Sequence, residues 1–129
     1  MRILIADDNV WIRRGVMSIL APVPDWVVCG EAKDGTEAVQ RAAELLPDLV
    51  LLDVSMPGLN GLDVARLLRA KVPATKILIM SQHDPAFLTS RALEAGADAC
   101  VDKNHLSTEL LPVIASVTKA VDSHLSPAQ

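Results

Sequence analysis

A chain of 129 residues, half of them hydrophobic and 22% charged, is sized for one domain around one core and leaves no room for a second. Its net charge of −4, with Arg and Lys scattered, excludes a grip on a phosphate backbone by this chain alone; two Trp, one Phe and no Tyr leave no stacking platform for single strands. No segment approaches the roughly 18 uninterrupted apolar residues of a membrane span, so a soluble protein with no membrane partner is expected.

The first apolar run, "RILIAD" at 2–7, is too short for a signal-peptide core and points to a cytoplasmic protein. It stops on two adjacent carboxylates, Asp7 and Asp8, whose like charges repel at the end of a buried strand unless a cation intervenes. Helical periodicity follows over Val10–Leu20, where "RR" at 13 and 14 is too small to make a basic patch. Next come a second run, "WVVCGE" at 26–31, and a helix over Thr36–Leu46, opened by a capping-box pair, Asp34 and Glu37. "DLVLLD" at 48–53 precedes a helix over Leu62–Ala70. "KILIMS" at 76–81 precedes one over Pro85–Ala95, with Asp84 as cap, Pro85 at the first helical position and glycine at the end in "EAGA", 94–97. A weaker fifth run, "ADACVDK" at 97–103, leads to a helix over Leu106–Val121 and a fraying tail, "SHLSPAQ".

The runs are continuous rather than alternating, as in strands buried on both faces of a parallel sheet. Five of them alternating with five helices through short loops predict a three-layer α/β domain with right-handed crossovers. Cys29 and Cys100 lie far apart inside apolar runs without CxxC spacing, so both read as reduced core residues.

The way the strands end is the informative feature: Asp7 and Asp8, then Asp53, Ser81 and Lys103. In a parallel sheet these ends share the carboxyl edge, where open α/β sheets bind ligands. Singly, each has an ordinary explanation, as turn residue, helix cap or solvated lysine. Together they place three carboxylates, a hydroxyl and an ammonium at one edge. Oxygen-only ligands favour a hard cation such as Mg²⁺, which would offset the repulsion between Asp7 and Asp8. A carboxylate beside it can attack phosphorus covalently, with Lys and Ser holding the phosphoryl oxygens.

"DD" at 7–8, "DLVLLDVSMPGLNGLD" at 48–63, "ILIMS" at 77–81 and "GADACVDK" at 96–103 resemble, in order and spacing, the receiver domain of two-component response regulators over essentially residues 1–122. "DDNVWIRRGVMSIL" and "VVCGEAKDGTEAV" look like the NarL/LuxR branch, whose members usually carry a C-terminal helix-turn-helix domain. The resemblance implies a CheY-like, flavodoxin-like (βα)5 doubly wound parallel sheet of order 2-1-3-4-5. It implies Asp53 as phosphoacceptor from a sensor histidine kinase, with Asp8 as main Mg²⁺ ligand, Asp7 assisting, and Asp53 and the Ser55 backbone carbonyl completing the contacts. Lys103 would pair with the phosphate, and Ser81 would move toward it, altering the face of the fourth helix, fifth strand and fifth helix. "MPGLNG" at 56–61, with Pro57 and Gly58 in a turn, would let Asp53 face solvent. DNA would be reached only through a C-terminal domain that this chain does not contain, residues 123–129 being the start of a linker. Homodimerisation through exposed helical faces is a further expectation.

Three residues depart from the pattern or stand outside it. Cys100 occupies a strand-five position where many receivers carry a Tyr or Phe that turns inward, and a small thiol cannot sweep that volume. Asn104 follows Lys103 where some receivers have proline, so no cis-proline forms there. His83 sits near the expected site, as a solvated loop residue or, with Ser55, as a tuner of phosphoryl lifetime. Two other functions compete: a small phosphohydrolase with an aspartyl-phosphate intermediate, and an interaction module independent of phosphorylation.

Overall fold

The computed structural model describes residues 1–56, 59–82 and 85–118, the side chains of 85–87 excepted. Five strands, β1 (Arg2–Ala6), β2 (Val27–Ala32), β3 (Leu49–Asp53), β4 (Lys76–Ser81) and β5 (Ala99–Asp102), form one sheet. Their order is β2-β1-β3-β4-β5, and every neighbouring pair is parallel. Helices α1 (Val10–Leu20), α2 (Gly35–Leu45), α3 (Gly61–Lys71), α4 (Pro85–Glu94) and α5 (Leu106–Val117) follow the strands in turn. This is the CheY-like architecture expected, with element ends within a few residues of the sequence reading; the expected end of the last helix at Val121 lies outside the described residues. The expectations for Pro57, Gly58, His83, Asp84 and the tail fall outside the described residues.

Side chains alternate along each strand, and this alternation builds the layers. Ile3 and Ile5 of β1, Leu49 and Leu51 of β3, and Leu78 and Met80 of β4 point to one face. There Val16 and Leu20 of α1 and Leu106, Leu110 and Ile114 of α5 cover them. Leu4, Ala6, Val50, Leu52, Ile77 and Ile79 point to the other face, against small and branched residues of α2, α3 and α4. The chain leaves β1 toward β2 and then returns to run outward through β3, β4 and β5. Right-handed crossovers therefore put α1 on one face and α2, α3 and α4 on the other.

β3 is buried throughout, and β1 and β4 are buried beyond their first residues, as their continuous apolar runs require. β2 and β5, at the edges, are half-buried, which corrects the reading of all five as covered on both faces. The two cysteines follow suit. Both are free but only partly buried, because they sit on these edge strands. Cys29 is also skipped where the β1–β2 register passes from Val28 to Gly30.

Local chemistry sets the helix ends. Asn9 and Asn60 cap α1 and α3 through their side-chain oxygens, and Asp34 Oδ1 accepts from the Glu37 amide at 2.8 Å. Glu37 reaches back to the Lys33 amide at 3.3 Å, a capping box displaced by one residue. After α4, Gly96 adopts φ +101, with its amide bonded to Leu93 and that of Ala97 to Ala92. This Schellman closure uses a conformation that glycine takes without β-carbon strain.

Candidate functional site

The strand register brings the polar residues together. Ala6 pairs with Leu52, so Asp7 and Asp53 each stand one residue past the same rung, on strands roughly 5 Å apart. Asp53 pairs with Met80 and Ser81 with Asp102, which carries Ser81 and Lys103 to the same edge. β5 ends at Asp102, and Lys103 opens a 3-10 turn over Lys103–His105 rather than closing the strand. Gly61 lets the start of α3 fold back onto this edge: its amide donates to the Val54 carbonyl at 3.0 Å, and a β-carbon there would lie 2.9 Å from the Asp53 carbonyl oxygen.

Lys103 Nζ bridges two carboxylates, 2.6 Å from Asp7 Oδ2 and 3.1 Å from Asp53 Oδ1. Asp7 Oδ1 accepts from the Asn9 amide at 2.8 Å, and Asp53 Oδ1 accepts from the Ser55 amide at 3.0 Å. Among the described residues, the Ser55 and Lys103 contacts to Asp53 thus fall on one oxygen. Asp7 Oδ2 is buried against the Lys103 ammonium, its partner in this ion pair. Part of the answer to the paired acids at 7 and 8 is therefore covalently built in: an ammonium 96 positions along the chain lies against Asp7.

The electrostatics follow from burial. Desolvation pushes the Asp53 pKa up, aided by the negative field of Asp7, while the Ser55 amide and Lys103 pull it back. Burial pulls the Lys103 ammonium down, but its hydrogen bond to Asp7 and the field and hydrogen bond of Asp53 outweigh this and raise its pKa. Asp7, Asp8 and Asp53 each present an oxygen within 4.8 Å of the others, with Asp8 exposed and the other two buried. Such a donor set, all oxygen and open on one side, fits a hard cation that keeps part of its water shell.

A cavity of about 220 Å³ opens over the cluster, lined by Asp8, Asn9, Ile12, Asp53, Ser55, Gln82 and Lys103. Asp53 lines this cavity and is only 2% exposed, so it meets solvent through the cavity. Ser81 is fully buried at the end of β4, next to the cavity-lining Gln82. Its place continues the alternation of Ile77 and Ile79, whereas Asp7 and Asp53 continue that of Ile5 and Leu51. Cys100 is half-buried and lines an open groove of about 270 Å³ against α5; burial and the charge of Asp102 raise its thiol pKa.

Sequence reasoning missed Asn9, Gln82 and Arg13. Asn9 was findable as an N-cap before a helical pattern. Arg13, dismissed as half of a small basic pair, donates from Nη1 to the Asp7 carbonyl at 2.6 Å and from Nε to Glu31 Oε1 at 2.8 Å.

Residues 3–115 match the response regulator receiver domain family. The chain is 39% identical over 111 residues to a protein-glutamate methylesterase/protein-glutamine glutaminase of Thermotoga maritima, covering 85% of this chain and 32% of that protein. It is 38% identical over 114 residues to the nitrate/nitrite response regulator protein NarL of Escherichia coli, covering 87% of this chain and 52% of that one. Among solved structures, a LuxR-family two-component response regulator from Aurantimonas sp. superimposes with TM-score 0.87 at 32% identity, over 92% of this chain and 85% of that one. The chain spans about a third to a half of the length of these two curated relatives.

Proposed function

The chain belongs to the response regulator receiver domain family of two-component systems, and on that footing we propose that Asp53 is its phosphoacceptor, taking a phosphoryl group from the phosphohistidine of a sensor histidine kinase. The observation that carries this reading is the Asp53 carboxylate itself. It is buried at the floor of a cavity and engaged through Oδ1 alone by Ser55 and Lys103, with two further carboxylates within 4.8 Å.

Asp53 Oδ2, the oxygen that neither Ser55 nor Lys103 engages, attacks phosphorus. The Oδ2–P bond forms as the P–N bond to the donor imidazole breaks, and the imidazole leaves with the electron pair. Burial makes the carboxylate a stronger base, hence a better nucleophile, while Lys103 favours its ionised form. Lys103 then turns its charge to the phosphoryl oxygens. Asp8, with Asp7, Asp53 and the Ser55 carbonyl, would hold Mg²⁺, which when bound neutralises charge on the transferring group. The product carries roughly two negative charges. Ser81, hydrogen-bonding to that group, would bias an existing equilibrium of the β4–α4 region and so alter partner binding.

In this reading the domain assists its own phosphorylation and dephosphorylation without turning over a separate substrate. It works in the cytoplasm; among the described residues no helix is long and apolar enough to cross a membrane. A homodimer and, in a longer protein, a C-terminal DNA-binding domain are the outputs it would serve, with residues 1–122 as the receiver. The family match spans the entire cluster and does not favour a phosphohydrolase or a phosphorylation-independent module.

The test is intact mass after incubation with Mg²⁺ and acetyl phosphate. One added phosphoryl group on the wild type, absent from Asp53→Asn and from a chelated sample, is the expected result. Uptake by the Asp53→Asn protein would overturn the assignment.

A further inference from the structure

The acidic cluster is held unevenly. The Asp7 carboxylate is gripped by the Asn9 amide at 2.8 Å and the Lys103 ammonium at 2.6 Å. That of Asp53 is gripped by the Ser55 amide at 3.0 Å and the same ammonium at 3.1 Å. Asp8 is the exposed member, and its side chain has no such partner among the described residues. Its backbone therefore sets where that carboxylate can reach.

That backbone is clamped from both sides. The Asp7 amide donates to the Ala32 carbonyl on β2 at 3.0 Å. The Asp7 carbonyl, which belongs to the planar peptide unit joining Asp7 to Asp8, accepts from Arg13 Nη1 at 2.6 Å. The Nε of the same guanidinium donates to Glu31 Oε1 on β2 at 2.8 Å, and the side chain is only 16% exposed. Arg13 lies in the first turns of α1, where side chains lean toward the helix N-terminus and thus back over the end of β1. A guanidinium whose rigid fork is committed at two points has little freedom to rotate.

We infer that Arg13, braced by Glu31, is a positioning residue: it orients the Asp7–Asp8 peptide and so holds the exposed Asp8 carboxylate at its place in the cation-binding cluster. The inference rests on reading that cluster as a Mg²⁺ site. Its sign separates it from simple electrostatics. A guanidinium repels a nearby cation, so if its charge alone mattered, removing it would tighten Mg²⁺ binding. If placement matters, removing it weakens binding, on the order of tenfold, as for other lost supports of metal ligands.

The experiment titrates Mg²⁺ alone into wild type, Arg13→Ala and Arg13→Lys. Binding is read from the amide shifts of Asp8 and Asn9, and melting is recorded without the metal. Affinity should fall about tenfold in Arg13→Ala and partway in Arg13→Lys, which keeps the charge and one donor but loses the fork. Equal or tighter binding by Arg13→Ala would overturn the inference, as would a lower Tm with unchanged affinity. Should Arg13→Ala not fold, Arg13→Lys decides: weaker binding supports the positioning role, and wild-type affinity refutes it. A wild type that binds no Mg²⁺ would sink the reading of the cluster itself, a failure distinct from that of Arg13.

Discussion

The two edges of the sheet handle charge in opposite ways. At the amino edge, Arg69 of α3 donates to the carbonyls of Gly96, Pro73 and Thr75 and pairs with Asp98 at 2.8 Å. Asp98 also accepts from the Ile77 amide, and Thr75 caps the Pro47 carbonyl. One carboxylate meets one guanidinium, and the network ties α3, β4 and the turn after α4 into a single unit. At the carboxyl edge, three carboxylates cluster beside one ammonium, which pairs with Asp7 and Asp53 and leaves Asp8 outside the pairing. One edge uses its charges for stability, and the other leaves a negative excess that a cation could offset. Conflict with the rules of stable packing thus concentrates at the edge proposed to carry function.

The strongest way to break this comparison is at the satisfied edge. Arg69→Ala should lower the unfolding free energy by about 3 kcal/mol, since it strands several carbonyls and the Asp98 carboxylate at once. Phosphoryl uptake by the folded protein should be unchanged. Urea denaturation beside intact mass would check both, and a loss of uptake in folded protein would mean that the edges are coupled.

Lys103→Met should cost about 2 kcal/mol without metal, because Asp7 and Asp53 are then buried side by side with no cation between them. Added Mg²⁺ should restore more stability than it adds to the wild type, read as the rise in Tm. The sign with pH follows from the raised Lys103 pKa. Its contribution is complete below its ordinary value of 10.5 and disappears as pH climbs through the higher folded value, so the gap between variant and wild type should close there.

The smallest effect has the opposite sign. Asp53→Asn should stabilise the metal-free protein by about 1 kcal/mol, a rise of about 3–6 °C in Tm, by removing a carboxylate that burial and Asp7 destabilise. Because the folded pKa of Asp53 lies above its ordinary 3.8, protonation relieves the same cost. The advantage of the asparagine variant should therefore shrink as pH falls through that raised value and vanish below 3.8. A variant less stable than wild type at neutral pH would show that Asp53 is as well satisfied as Asp98.

Much of the carboxyl edge was legible before any coordinates. Asp7, Asp53, Ser81 and Lys103 each fall at the end of an apolar run, and in a parallel sheet such ends share one edge. The amino edge was not legible. Arg69 looks like any helical arginine, and its partners at Pro73, Thr75, Gly96 and Asp98 come from separate loops. Arg13 was hidden for the same reason, since Glu31, 18 residues away, becomes its neighbour only when β2 pairs with β1.

The linear pattern by itself determined the five strands, the five helices, their layers and the residue types at the functional edge. It does so because apolar periodicity and strand ends are properties of adjacent residues. Tertiary structure alone decided that Lys103 bridges Asp7 and Asp53, that Asp53 lies beneath a cavity instead of in open solvent, and that Arg13 clamps the Asp7–Asp8 peptide. Those contacts join residues from different elements, and their distances depend on strand register and on how each helix lies against the sheet.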